Sequence, residues 1–238
     1  MPLSELLLAG GFVTVGAVLQ GSLGFGLGMF SVPFLVLIDP RLVPGPLLFA
    51  SVGLTILISY REWHGIRFGE LKWALAGRVM GIAVAIAALV IVPAERIAIA
   101  FGVLVLLAVG LSASGLHVRP TPRTLIGAGT LSGFMGTSVS IGGPPMALLY
   151  QHASGAHLRG TLSAYFLVGV ALSLVGLHFA GKFGREEVLL GTALLPGILV
   201  GFVVSRWTAG ILDRGYTRTG VLLVSAAAAV LVILKQLW

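Results

Sequence analysis

Apolar residues run along the chain in blocks of about 20, the length a helix needs to cross a hydrocarbon core of ~30 Å at ~1.5 Å per residue. Eight such blocks can be drawn: Leu3 to Ile38, Leu42 to Tyr60, Leu71 to Val92, Ile97 to Gly115, Leu125 to His152, Thr161 to Phe179, Val188 to Val204, and Thr219 to Leu237. The connections are short and rich in charge, Gly or Pro, as in Arg61-Glu62-Trp63-His64-Gly65-Ile66-Arg67. None is long enough to fold alone. The pattern predicts an all-α integral membrane protein of about eight membrane segments, with no soluble domain.

The first and fifth blocks carry helix-breaking residues in their middles instead of at their ends. In the first the run is Gly21-Ser22-Leu23-Gly24-Phe25-Gly26-Leu27-Gly28, with Pro33 beyond it. In the fifth it is Gly133-Phe134-Met135-Gly136-Thr137-Ser138-Val139-Ser140-Ile141-Gly142-Gly143-Pro144-Pro145. Gly costs ~1 kcal/mol and Pro ~3 kcal/mol relative to Ala inside a helix, so a continuous helix through either run is not expected.

An ungapped offset of 112 places Gly21 on Gly133, Gly24 on Gly136 and Pro33 on Pro145, and it falls at the midpoint in segment count. The chain therefore reads as two four-segment membrane repeats, residues 1–116 and 117–238. The third segment of each half adds an echo, with Gly77 and Gly81 matching Gly197 and Gly201; close helix packing through small residues accounts for it equally well.

Composition agrees with a membrane chain: 57% of residues are hydrophobic, 10% are charged, and the mean hydropathy is +1.06. The net charge of +7 comes from Lys and Arg concentrated in the connections, which is what membrane topology demands, and no basic stripe interleaved with aromatics points to nucleic acid. Without Cys there is no disulfide, thiolate chemistry or Cys-ligated metal site, and no motif calls for a cofactor. If the first and fifth segments are re-entrant, Arg61, Arg67, Lys72, Arg119, Arg123, Arg159, Arg206, Arg214 and Arg218 share one side. The positive-inside rule makes that side the cytoplasm, puts both termini outside an inner (plasma) membrane, and inverts the two repeats.

Backbone freed from helical hydrogen bonding cannot face lipid, so each break must be buried in protein or line a wet cavity. Two breaks at matching places in two repeats form the arrangement by which many secondary transporters hold substrate at mid-membrane. Half-helix N-termini expose N–H groups and partial positive charge, which suit an anion. Close packing of helices through the same glycines is the competing reading.

The Gly-rich first segment ending at Pro33, with Gly133-x-x-Gly136 leading to Gly142-Gly143-Pro144-Pro145 and Tyr150, resembles the TauE/SafE sulfite exporter family. The resemblance covers essentially the whole chain, and Gly-Gly-Pro-Pro is its most specific element. It implies a permease for sulfite or an organosulfur anion such as a sulfonate. A channel-like conduit, a membrane scaffold and an intramembrane enzyme using Ser138 with His178 are the other classes.

No Asp or Glu lies deep in any segment, whereas a cation carrier or carboxylate proton relay would be expected to keep one there. Arg78 is the one clear basic exception; six residues past Lys72, or ~9 Å along a helix, it either snorkels to the headgroups or faces the pathway as an anion contact. The candidate substrate-binding residues are Gln20, Gly24, Gly26, Gly28, Arg78, Gly136, Thr137, Ser138, Gly142, Gly143, Pro144 and Pro145. Ser22 and Ser140 supply further hydroxyls that can bind an oxyanion or cap the half-helices. Gln151, His152 and His157 follow the second break, where His152 can carry a coupling proton or sit in a solvated loop. The partners expected are a small anion and membrane lipid.

Overall fold

The first helix, α1 (Leu3–Leu23), stops at Gly24, whose φ of 85° lies in the left-handed region and whose N–H bonds back to the Gln20 carbonyl at 2.8 Å. Gly26, at φ 132°, then starts α2 (Leu27–Ile38). Side chains rarely adopt either conformation, so these two glycines permit the reversal. The second helix folds back along the first: Ser31 Oγ donates to the Phe12 carbonyl at 3.0 Å, and the rings of Phe12 and Phe34 stack with centroids 4.1 Å apart.

This computed structural model describes residues 1–91, 103–104, 106–107, 109–111, 113–114, 118–150, 153, 155–212 and 230. After the 3-10 turn Pro40–Leu42 come α3 (Gly45–Arg61), a second turn at Trp63–Gly65, and α4 (Phe68–Ile91). The later helices are α5 (Pro122–Val139), α6 (Gly143–Tyr150), α7 (Gly155–Phe179) and α8 (Arg185–Leu212). No strand occurs among the described residues. Five helical stretches there are long and apolar enough to cross a membrane: Leu3–Leu23, Pro40–Arg61, Phe68–Ile91, Gly155–Phe179 and Arg185–Ala209. The fourth and eighth segments expected from sequence lie largely outside the described residues.

The fifth segment is also broken. A capping box between Thr121 and Thr124 starts α5, with Pro122 at its first position. The helix ends on Ser140, a non-Gly residue at φ 59°, with Ser140 N–H on the Gly136 carbonyl and Ile141 N–H on the Met135 carbonyl. The eight-residue α6 follows at once. The two left-handed caps, Gly24 and Ser140, are 116 positions apart, one helical turn more than the glycine-based offset of 112. Gly133 accounts for the slip, because it serves packing: a Cβ there would lie 2.5 Å from the Arg78 carbonyl.

Small residues let the long helices approach closely, as expected where lipid supplies no hydrophobic drive for association. A Cβ on Gly77 would overlap the Ile126 carbonyl, and one on Gly81 the Thr130 carbonyl, so α4 and α5 run side by side in the same direction. Gly197 sits against Gly10, Gly201 against Ala17 and Gly21 against Ser205, which makes α1 and α8 parallel too. The third helix runs with them, from Gly45 beside Glu187 to Arg61 bonded to Ser205. Leu3, Leu7 and Leu8 on α1, Val79, Met80 and Val84 on α4, and Leu199, Val200 and Val203 on α8 are exposed. Lipid is the natural solvent for these faces.

Candidate anion site

The two breaks meet. A Cβ placed on Gly28, at the start of α2, would overlap the carbonyl of Ser140, and one on Gly143 would lie 2.8 Å from Phe25 Cβ. Between them is a cavity of ≈ 40 Å³, room for about three water-sized groups. Its wall includes Gln20, Gly26, Gly28, Arg78, Gly136, Gly142, Gly143 and Pro144, eight of the twelve candidates named from sequence. Phe25, Ser51, Thr55, Ser140, Phe166 and Val170 also line it.

Arg78 is the one charged residue of that wall among the described residues. It is 1% exposed and sits ten residues into α4, about 15 Å from the helix start. Of the two readings open for it, the geometry places the guanidinium inward and not at the headgroups. Its Nη1 donates to Ser132 Oγ at 3.2 Å, while Nε has no hydrogen-bond partner. The guanidinium carbon lies 4.9 Å from the ring centroid of Tyr165 and 5.7 Å from that of Phe166, both on α7, so the aromatic faces attract the cation without neutralising it. Room for the side chain comes from Gly169 on α7, where any Cβ would overlap Nε and Cδ.

The family model described as "Sulfite exporter TauE/SafE" matches residues 7–232. The chain belongs to this family. As a TauE/SafE member it is a membrane transporter, of a family of sulfite and organosulfur exporters and not of enzymes. No curated protein and no solved structure gives a match.

Four of the sequence candidates stand off the cavity. Gly24 forms the turn of the first hairpin, packed 3.2 Å (for an added Cβ) from Arg159 Cα. Thr137 shares a 2.8 Å hydrogen bond with Ser173 Oγ on α7. Ser138 is buried with its Oγ unpartnered, and Pro145 lies one residue deeper in α6 than the wall. His178, named with Ser138 in the enzyme reading, has Nδ1 3.0 Å from the Phe183 carbonyl at the exposed end of α7. Gln151 and His152 lie outside the described residues. The residues that sequence missed, Ser51, Thr55, Phe166 and Val170, sit on uninterrupted helices, where nothing local distinguishes a wall residue from a packing residue.

A second cavity of ≈ 440 Å³ opens at the other end of α6, lined by Arg67, Glu70, Arg119, Tyr150 and His157 among others. The same end of the bundle holds an ion-pair cluster. Glu62 Oε1 accepts from Arg61 Nε at 3.1 Å and from Arg159 Nε at 3.0 Å. These arginines also bond the Gly21 and Ser22 carbonyls, fastening the end of α1. At the opposite end Asp39 caps the Pro40–Leu42 turn and pairs with Arg41 at 2.8 Å. The side-chain hydrogen bonds from Arg41 hold the Asp39 carboxyl below its ordinary value, against an opposing effect of burial.

Proposed function

We propose that this chain is a multi-pass permease of the inner (plasma) membrane that carries sulfite or an organosulfur anion such as a sulfonate, bound at mid-membrane between the two hairpin breaks. The observation that carries this reading is Arg78: a buried fixed positive charge in the wall of the cavity where the breaks meet. A guanidinium presents forked donors that fit oxyanion oxygens, and a dry setting strengthens their pull. Backbone N–H groups at the start of α2 and at Gly142 and Gly143, with the side-chain amide of Gln20, complete the binding surface; the hydroxyls of Ser51, Thr55 and Ser140 donate to backbone carbonyls and line the wall as acceptors. Pro144 and Pro145 keep the second break open because neither has an N–H to close a helix.

The reading includes two inverted repeats, residues 1–116 and 117–238. In support, α1 enters from the Asp39 end and turns back near Arg159, whereas α5 starts beside Arg119 and turns back at Ser140, next to Pro44. Arg61, Arg67, Arg119, Arg159 and Arg206 cluster at one end, which the positive-inside rule assigns to the cytoplasm.

Uptake into proteoliposomes tests it, comparing sulfite, sulfate, thiosulfate, sulfonates and small carboxylates with and without a proton gradient. Sulfite or a sulfonate should be taken up, and Arg78→Ala and Arg78→Gln should lose uptake by at least tenfold while remaining monodisperse in detergent. Uptake by Arg78→Gln at the wild-type rate removes Arg78 from the site.

A further inference from the structure

Among the described residues the charge on Arg78 has no acidic counterpart nearby. The ion pairs among these residues lie at the two ends of the bundle, in Arg41–Asp39, Arg41–Glu186, Arg61–Glu62, Arg67–Glu70 and Arg159–Glu62. The neighbours of the guanidinium are the neutral hydroxyl of Ser132 and two aromatic rings, and Nε is left without a partner. Arginine side chains stay protonated in proteins, so this site cannot shed its charge as a buried Lys or carboxyl can. An uncompensated ion out of contact with water is strongly unfavourable, and an anion in the cavity removes most of that cost.

A carrier must pass through an occluded state in which neither side's water reaches the site. With an anion aboard, the occluded site is nearly neutral. Empty, it holds a guanidinium with no counter-charge among the described residues, beside a space of about 40 Å³ whose few waters leave the ion uncompensated.

We propose that the site does not cross the membrane empty, so that this protein works as an obligate anion-for-anion exchanger, with a small monoanion paired to Arg78 on each half of the cycle. The inference rests on the cavity being the substrate site. One guanidinium matches one negative charge, so hydrogen sulfite and alkyl sulfonates cross as neutral complexes, whereas a dianion such as sulfate leaves a negative charge behind. The energetic gap between a paired and an unpaired buried charge corresponds to an exchange rate on the order of a hundredfold above the net rate.

Wild-type protein in chloride-free liposomes, with the voltage clamped by potassium and valinomycin, provides the test. External radiolabelled sulfite or methanesulfonate is offered to vesicles loaded with the same unlabelled anion or with gluconate, a bulky carboxylate outside the proposed substrate class, and protein-free vesicles are subtracted. Uptake into anion-loaded vesicles is expected to exceed uptake into gluconate-loaded vesicles on the order of a hundredfold. In Arg78→Gln the remaining flux, however slow, should lose that dependence as its ratio falls toward one. Equal uptake by wild-type protein into both kinds of vesicle overturns obligate exchange while leaving the transport reading in place. No uptake of either anion into any vesicle overturns the transport reading and the exchange with it.

Discussion

Arg78 Nη1 donates to Ser132 Oγ at 3.2 Å, and the same oxygen donates to the Gly142 carbonyl at 2.5 Å. One hydroxyl thus ties the buried charge of α4 to the unwound backbone between α5 and α6. Ser132→Ala leaves a charged donor and a carbonyl unpaired, a loss of about 1–3 kcal/mol. The variant should melt at lower temperature and bind sulfite roughly tenfold more weakly, a change of about 1.4 kcal/mol. Ser132→Thr keeps the hydroxyl and should recover most of both. Thermal unfolding and calorimetry on purified protein check this, and an unchanged affinity in Ser132→Ala would detach the hydroxyl from the site.

Glycines in this chain divide by what a methyl group would meet. On Gly81 it overlaps the Thr130 carbonyl, and on Gly201 it lies 2.5 Å from Ala17 Cβ and 2.6 Å from the Thr14 carbonyl. Gly81→Ala and Gly201→Ala should therefore lower the yield of folded protein. On Gly142 the nearest atoms are the Ser132 carbonyl and Oγ at 3.0 Å and Arg78 Nη1 at 3.2 Å. Gly142→Ala should fold and lose affinity. Gly11 has open space around it, so Gly11→Ala should be neutral or stabilising by up to about 1 kcal/mol. Yield, monodispersity and affinity measured together separate the three classes, and equal loss of yield in all of them would contradict the assignment.

Sequence made the helical membrane architecture legible because the apolar blocks have the length of a bilayer. It also located both breaks, since Gly24 and Gly26 occupy backbone conformations that other residues avoid. The register between the breaks was less legible. Ser140 adopts the left-handed cap without being glycine, while Gly133 is small in order to admit α4, so residue type alone does not separate a turn from a contact. Arg78 stood out as a charge in an apolar block, but its direction depends on Gly169, a residue ninety-one positions later that leaves space for it. The second-half candidates Thr137 and Ser138 have the right chemistry, yet the helical screw of α5 turns Thr137 onto Ser173.

Glu62 holds two guanidinium groups together at the arginine-rich end. In Glu62→Gln the like charges of Arg61 and Arg159 lose their common partner, and the end of α1 loses a well-held clamp. The side chains are 11–19% exposed, so water softens the loss to about 1–3 kcal/mol, below that of a fully buried pair. A lower melting temperature is expected, with transport within a few-fold of wild type because no acidic residue among the described ones lines the cavity beside Arg78. Abolished transport in a normally folded variant would assign Glu62 to coupling.

Asp39 adds a pH dependence at the opposite end. Its carboxyl titrates below the ordinary value of 3.8 because Arg41 bonds the ionised form. A depressed folded value means the stabilisation is fully present above the ordinary carboxylate range and disappears as pH falls through the depressed value. Arg41 is largely exposed, so the effect is about 1 kcal/mol or less. Asp39→Asn should melt below wild type at neutral pH and converge with it in acid. A gap that stays constant from neutral to acid pH would show that the ion pair contributes nothing to stability.

The orientation of the bundle can be tested without removing any native thiol, because the chain has no Cys. Arg67 and Arg119 line one cavity, and Arg159, Glu62 and Arg206 gather at the same end through α3, α7 and α8. Asp39, Arg41 and Glu186 occupy the other end, near the start of α1. Positive charge is retained on the cytoplasmic side during insertion, so the Arg67 end should be inside and the Asp39 end outside. Single cysteines placed near Met1 and at Lys182 should react with an impermeant thiol reagent applied to intact cells. Cysteines at Arg67 and Arg119 should react only after permeabilisation. The α1–α2 hairpin sharpens the test: because α2 returns along α1, a cysteine at Arg41 should label from the same side as one near Met1, whereas a first segment crossing only once would put them on opposite sides. Labelling of the Arg67 position from outside in intact cells would reverse the orientation, and opposite sidedness of Met1 and Arg41 would remove the re-entrant first segment and the inversion of the repeats with it.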